Sequence, residues 1–85
     1  MAARRIELEI RSTAGAWRHA FPAQDTAQAV IDAAVEHFRL ANGAGIAYVL
    51  RLPNGTTVAP GETLEQLHLR QGQELLLQAS QAQDG

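Results

Sequence analysis

The chain has 85 residues, a hydrophobic fraction of 46%, a formal net charge of −2 and no cysteine. Its length fits one small domain, and its composition is globular rather than disordered. The lack of cysteine excludes disulfides, thiolate metal ligands and cysteine nucleophiles, and it suits a reducing cytoplasm. The charge gives no electrostatic reason to expect nucleic acid, and no apolar run reaches the roughly 20 residues of a membrane span. We therefore expect a cytoplasmic protein that binds neither nucleic acid nor membrane.

Lysine is missing from the sequence, and all seven basic residues are arginine. A simple explanation of the missing lysine is a GC-rich genome that favours arginine and alanine codons. Whatever its origin, this composition leaves the amino group of Met1 as the one primary amine of the chain.

The N-terminal part of the sequence predicts a β-hairpin. Residues 5–11 alternate strictly between polar and apolar, as a half-buried strand does. Gly15 is free to adopt the positive φ of a turn, and Pro22 should end the second strand. The side chains assigned to one face of these strands are Ile6, Leu8, Ile10, Trp17, His19 and Phe21.

One long helix follows, from Thr26 to about Ala41. Asp25 or Thr26 can cap it, and Gln28 lies three residues after Asp25 as in a capping box. Gly43 and Gly45 are expected to end it. The apolar stripe that should face the core consists of Ala27, Val30, Ile31, Ala34, Phe38 and Ala41.

The C-terminal half predicts further strands. Residues 46–52 form a third strand, which the Asn54-Gly55 turn reverses into a short run at 56–58. Pro60-Gly61 is another turn, Thr63 opens a single helical turn over 64–67, and residues 74–79 form the last strand. The first and last strands flank the helical crossover, so they should lie parallel in the centre of one mixed sheet.

One hydrophobic core is predicted for the domain. Its members are Ile6, Leu8, Ile10, Trp17, Phe21, Val30, Ala34, Phe38, Leu50, Leu64, Leu67, Leu69, Leu75 and Leu77. A register shift of one residue in the third strand would bring Leu52 outward.

Residues 60–77, PGETLEQLHLRQGQELLL, are the most specific segment of the sequence. A glycine, a threonine-leucine pair, an apolar residue three positions on and another two further on precede a final apolar strand. In this segment, and in the order of its elements, the chain resembles the ubiquitin-like β-grasp family. The resemblance implies an α+β fold, with a mixed sheet of four to five strands packed on one helix, as a ubiquitin-like domain at 1–79 and a flexible C-terminal tail at 80–85.

Within that family the long helix, the Asn54-Gly55 turn and the PGETLEQL phrase look most like small bacterial ubiquitin-like proteins. Some of these are encoded beside activating, conjugating and deconjugating enzymes in systems suspected of antiviral defence. The resemblance thus implies a protein modifier whose partners are activating and conjugating enzymes, a deconjugating protease and a target protein, with a homo-oligomer possible.

The C-terminal tail carries the predicted conjugation site. The resemblance makes Gly85 the residue whose carboxylate is adenylated and then joined to a target, because a narrow enzyme channel admits glycine and obstructs larger side chains. Gln83 and Asp84 precede it in the tail. Asp84 departs from the family's Gly-Gly ending and puts a second negative charge near the phosphates of ATP.

A second predicted site is a patch on the sheet face opposite the helix, which is the usual partner-binding surface of ubiquitin-like proteins. If Leu75 and Leu77 face the core, Leu76 and Gln78 face outward. If Leu50 is core, Val49 and Arg51 face outward as well. These four residues, Val49, Arg51, Leu76 and Gln78, are called the outer patch below. A lone exposed leucine is also ordinary on a protein surface.

Two other functions are compatible with these features. One is a ubiquitin-like interaction or self-assembling module of the type that accompanies secretion machineries and is never conjugated. The other is a sulphur carrier, which would end in Gly-Gly and usually lacks so long a helix. An enzyme is not expected, because His19, His37 and His68 lie in separate elements without ligand-like spacing. No cofactor is expected either.

Overall fold

The computed structural model describes residues 4–41 and 45–81, with the backbone alone for Gln81. The described elements are β1 (Arg5–Ser12), β2 (Gly15–Pro22), α1 (Ala27–Phe38), β3 (Ile46–Arg51) and β4 (Gln73–Gln81).

The strands form one mixed sheet in the order β2-β1-β4-β3. β1 and β4 are the central pair and run parallel, with Ile10 opposite Leu75, whereas the two outer pairings are antiparallel. The crossover through α1 allows this parallel pairing of the first and last strands. The predicted arrangement, a mixed sheet packed on one helix, is confirmed.

The predicted short strand at 56–58 is wrong, and the described sheet therefore has four strands. The segment makes a single bridge between Arg51 and Thr57. Two backbone bonds hold it there, from Leu52 N–H to the Thr56 carbonyl and from Val58 N–H to the Leu50 carbonyl, both 2.8 Å. The chain then turns away to meet the start of α1, which leaves too few residues for a ladder.

The last strand is longer than predicted. It continues past Ala79 through Ser80 to Gln81, and these two residues lie opposite Ala47 and Ile46 of β3. Polar side chains do not interrupt a ladder when they point to solvent, because the backbone supplies the pairing. The predicted strand therefore ended too early, because the prediction relied on apolar residues.

The ends of α1 also differ from the prediction. Thr26 is the N-cap, and its Oγ1 accepts a bond of 3.2 Å from the Ala29 N–H. Gln28 does not complete a capping box, since its side-chain amide donates to Asp32 instead. The helix ends at Phe38 because Arg39 adopts the left-handed conformation, with φ 54° and ψ 46°.

The segment before β4 ties the helix to the sheet. The Ala27 N–H, which has no partner within the helix, donates to the Glu62 carbonyl at 2.8 Å. Residues 63–67 form the predicted single turn, and a capping box stabilises it: Thr63 N–H donates to Gln66 Oε1, and Gln66 N–H donates to Thr63 Oγ1. This turn carries Leu64 into the core, where it is fully buried.

The core lies between α1 and one face of the sheet. Most of the predicted core residues are buried, whereas Trp17, Phe38 and Leu67 are half-buried and pack against its edge. Leu50 has no exposed surface, which fixes the register of β3 as predicted. The buried residues absent from that predicted set are Ala23, Ala27, Ile31, Val35 and Val58.

Candidate protein-binding surface

The sheet face opposite α1 carries the alternate residues of each strand. Because β3 and β4 are antiparallel neighbours in a continuous register, directly opposite residues share a face. Val49 lies opposite Gln78, and Arg51 lies opposite Leu76. The four residues of the outer patch are therefore brought together as a block of two cross-strand pairs.

Leu76 sits at the centre of a row that crosses three strands. It lies opposite Arg11 of β1 on one side and Arg51 of β3 on the other. Leu76 and Val49 are half-buried, and Gln78 is exposed. The row therefore presents a small apolar area between two guanidinium groups, which suits a partner that has an apolar anchor flanked by acceptors.

Arg51 is held in place by the turn that follows β3. Its Nη1 donates to the Gly55 carbonyl at 3.5 Å, and the side chain is half-buried. Its Nε is buried and has no hydrogen-bond partner among the described residues. The Asn54-Gly55 turn thus helps to position a residue of the outer patch.

Charged residues occupy the neighbouring part of this face. Glu9 forms an ion pair with Arg11 Nε at 3.3 Å and accepts a hydrogen bond from Arg18 Nη2 at 3.4 Å, and Glu74 forms a further ion pair with Arg11. The two arginine side chains are largely exposed and the two carboxylates are partly exposed, so each pair adds little stability. The network keeps the Arg11 guanidinium beside Leu76.

The predicted tail residues Gln83, Asp84 and Gly85 lie outside the described residues. The structure shows the strand that leads towards them. β4 carries the chain to Gln81, opposite Ile46, at the start of β3.

The helix-facing side of β2 holds an aromatic cluster whose full membership the sequence did not predict. Trp17 stacks with two imidazole rings, that of His37 at a centroid distance of 4.1 Å and that of His19 at 4.9 Å. Phe21 and Phe38 contact Trp17 edge to face. Strand alternation predicted that Trp17 and His19 share a face, but only the packing of α1 on the sheet adds His37.

The histidines do not come together as ligands. His19 and His37 each stack with the indole of Trp17, and His68 lies in the loop before β4 with a φ of 54°. Within the two described ranges no three His, Asp or Glu side chains gather as a metal site would require. The one helix there has 12 residues, too few to cross a bilayer.

No protein-family model matches the sequence, and no curated protein matches it. Solved structures, in contrast, match over nearly the whole chain. Caldiarchaeum subterraneum ubiquitin is 19% identical with a TM-score of 0.73, and the match covers 87% of this chain and 91% of that one.

Two other solved structures extend the comparison. The EccD5 ubiquitin-like domain from Mycobacterium xenopi is 16% identical with a TM-score of 0.71, over 94% of this chain and 99% of that one. A protein described as a molecular mimic of SUMO that promotes DNA repair is 17% identical with a TM-score of 0.75, over 91% and 94% of the two chains. At these identities the likeness is one of fold.

Proposed function

We propose that this chain, whose fold is the ubiquitin-like β-grasp, is a protein modifier that enzymes attach to targets through Gly85. In this proposal it is a substrate and binding partner and does not itself catalyse a reaction. Ubiquitin-like domains generally act through protein–protein contacts, and the outer patch is the surface assigned to those contacts here.

The outer patch on the ubiquitin-like sheet supports the protein-binding part of the proposal, and the C-terminal glycine supports the attachment. Val49 and Leu76 offer the apolar part, and Arg51 offers a positioned cation next to them. Interface centres combine apolar anchors with arginine in this way. A sheet face also gives a partner a backbone that need not move on docking.

The path of β4 bears on how Gly85 would reach an enzyme. Four residues follow Gln81 in the sequence, and at roughly 3.3 Å each they would extend about 13 Å. A longer reach requires β4 to release Ser80 and Gln81 from β3. The pairing with Ala47 and Ile46 would thus limit how deeply the tail enters an activating enzyme.

The chemistry of attachment explains why an enzyme must act first. A carboxylate repels nucleophiles and lacks a leaving group, so the activating enzyme transfers AMP from ATP to it and releases pyrophosphate. The enzyme's cysteine thiolate then attacks the acyl carbon, AMP leaves, and a thioester results. An amine of the target displaces that thiolate to form the final amide. Asp84 adds a negative charge near the phosphates, which a cation of the enzyme would have to neutralise.

The decisive experiment uses the arrangement of arginine in the chain. Trypsin cleaves after Arg70, and residues 71–85 contain neither lysine nor arginine. Protein tagged at its N-terminus is expressed in its source cells, and adducts are purified under denaturing conditions and digested. We expect target peptides that carry residues 71–85 as a branch on an amine.

A variant without Gly85 is the control, since it should retain the wild-type melting temperature and form no branched peptide. The intact mass of the isolated protein checks that Gly85 carries a free carboxylate. The modifier hypothesis fails if the full-length chain yields no branch, or if the variant yields as much. A non-conjugated interaction module would then be the better description.

A further inference from the structure

A groove of about 520 Å³ runs between α1 and the outer edge of β3, on the side of the sheet away from the outer patch. Its floor is apolar, because Ile31 and Val35 of the helix are buried and Leu40 is half-buried. Its far wall is the start of β3. The groove is separate from the surface assigned to the modifier function.

The edge of β3 offers backbone groups to this groove. The Leu50 carbonyl accepts a hydrogen bond from Val58 N–H, so the backbone N–H and carbonyl of Leu50 point away from β4. In an antiparallel strand every second residue does the same, which gives Tyr48 and Ile46 the same outward direction. Among residues 4–41 and 45–81, no backbone group pairs with these two residues on that side.

The side chains of the same two residues line the groove. Ile46 and Tyr48 share the helix-facing side with Leu50, and Ile46 is 40% exposed, the largest exposure of any large apolar side chain in the described residues. The Tyr48 hydroxyl donates to the Ala41 carbonyl at 2.6 Å, which fixes the ring at one end. An open strand edge next to a groove with apolar residues in its floor can accept another strand.

The charge along the helical wall of the groove indicates which sign of charge the occupant should carry. Asp32 and Glu36 lie one turn apart on α1 and both are exposed, and Arg39 lies beyond them at the helix end. Gln28 donates to Asp32 at 2.8 Å, which holds that carboxylate along the wall. The wall thus favours a basic side chain on the occupant.

We propose that this groove binds an extended segment of a partner protein, which pairs with the edge of β3 as a fifth strand. The residues of the segment that face the groove are apolar on either side of one lysine or arginine. The apolar residues cover Ile46 and the floor, and the basic residue meets Asp32 and Glu36. A second copy of this chain is a poorer occupant through its own β3, because it would bring the same acidic wall.

The probe is a seven-residue peptide, Thr-Val-Thr-Arg-Thr-Val-Thr, blocked at both ends and titrated into isotopically labelled protein. As an extended strand it points valine, arginine and valine to one side. We expect NMR shifts at the amides of residues 46–48 and along 31–39. The peptide with glutamate in place of arginine should bind about tenfold more weakly, because it meets two carboxylates.

Two further tests separate strand pairing from simple charge attraction. Two peptides are made, one N-methylated at the odd-numbered residues and the other at the even-numbered residues. One of them should lose binding and the other should keep it, since only one set of N–H groups faces β3. The double variant Asp32→Arg with Glu36→Arg should reverse the preference between the two peptides. The matched control, Glu7→Arg with Glu65→Arg, reverses two exposed acidic residues outside the groove and should not reverse it.

Several results would overturn the proposal. These are shifts confined to β2 or to the outer patch, equal binding of the arginine and glutamate peptides, tolerance of both methylated series, and no binding up to millimolar peptide. Sedimentation that shows two copies joined through β3 would do so as well. Thermal melts of each variant verify that it is folded before these results are compared.

Discussion

Leu75 and Leu76 are adjacent in the sequence and have opposite environments. Leu75 is completely buried opposite Ile10, whereas Leu76 is half-buried on the outer face between Arg11 and Arg51. Strand geometry alone causes this difference, since successive side chains point to opposite faces.

This pair provides a direct test of the strand assignment. We expect Leu75→Ala to lower the free energy of unfolding by about 2–5 kcal/mol, because it removes apolar contacts and leaves a cavity. Leu76→Ala, the matched control, should lower it by about 1 kcal/mol or less. Urea denaturation measures both. Equal losses would contradict the assignment of the two faces.

The stacking of Trp17 is a second feature at the scale of single residues. We expect His37→Ala to lower the free energy of unfolding by about 0.5–1.5 kcal/mol, the range of aromatic pairs. The emission of Trp17, the one tryptophan of the chain, should shift to longer wavelength as one face of its ring meets water. Glu36→Ala on the preceding helical position is the control and should leave the emission unchanged. An unshifted spectrum in His37→Ala would show that the stack does not form in solution.

At the scale of elements, α1 ends earlier than its sequence pattern predicts, because packing decides where the helix stops. Arg39 N–H donates to the Glu36 carbonyl at 3.2 Å and Leu40 N–H donates to the Val35 carbonyl at 3.0 Å, the pattern of a Schellman motif. The turn returns Leu40 to the core beside Val35. Arginine occupies the left-handed position at which glycine is usual.

We therefore expect Arg39→Gly to raise the free energy of unfolding by up to about 1 kcal/mol. Glycine removes the left-handed penalty of about 1–2 kcal/mol and loses part of that gain to the greater freedom of the unfolded chain. Arg39→Ala, which removes the charge and keeps the Cβ, is the control for electrostatic effects. Thermal and urea unfolding measure both variants, and a destabilised Arg39→Gly would contradict the assigned backbone conformation.

At the scale of the whole molecule, the outer patch is open to partners while the core lies on the other side of the sheet. We expect Leu76→Arg to stay within about 0.5–1 kcal/mol of the wild-type stability and to reduce adduct formation in the experiment on Gly85. Gln24→Arg adds the same charge at an exposed site before α1 and should leave adduct yield unchanged. An unfolded Leu76→Arg would show instead that Leu76 belongs to the core.

The lack of lysine predicts how copies of the modifier can be joined. If the chain is conjugated, amide-linked products should carry single copies, or linear chains through Met1 where its amine is free, because the interior offers no amine. Ester links to serine or threonine would be lost in hydroxylamine, which distinguishes them. Mass spectrometry that locates the C-terminus of one copy in an amide at an interior position of another would contradict this prediction.

Much of the fold could be predicted from periodicity. Alternation in β1 gave its buried face, and the stripe of α1 gave its packing side, because side-chain direction follows from backbone geometry over a few residues. In β4, an apolar run, the resemblance assigned Leu75 and Leu77 to the core. The same rule placed Val49, Arg51, Leu76 and Gln78 on one face. Their binding role, like that of Gly85, stays a prediction.

The sequence by itself determined most of the buried faces of the strands and the helix, together with the N-terminal hairpin and the parallel central pair, since local periodicity and crossover length decide these features. Only the tertiary structure decided where elements end and what lies across them. The helix stops at Phe38 because Leu40 returns to the core, and the 56–58 run stays a single bridge because the chain must reach the start of α1. The Trp17 stack and the groove beside Ile46 each join residues from two elements, and such contacts arise only when the helix packs on the sheet.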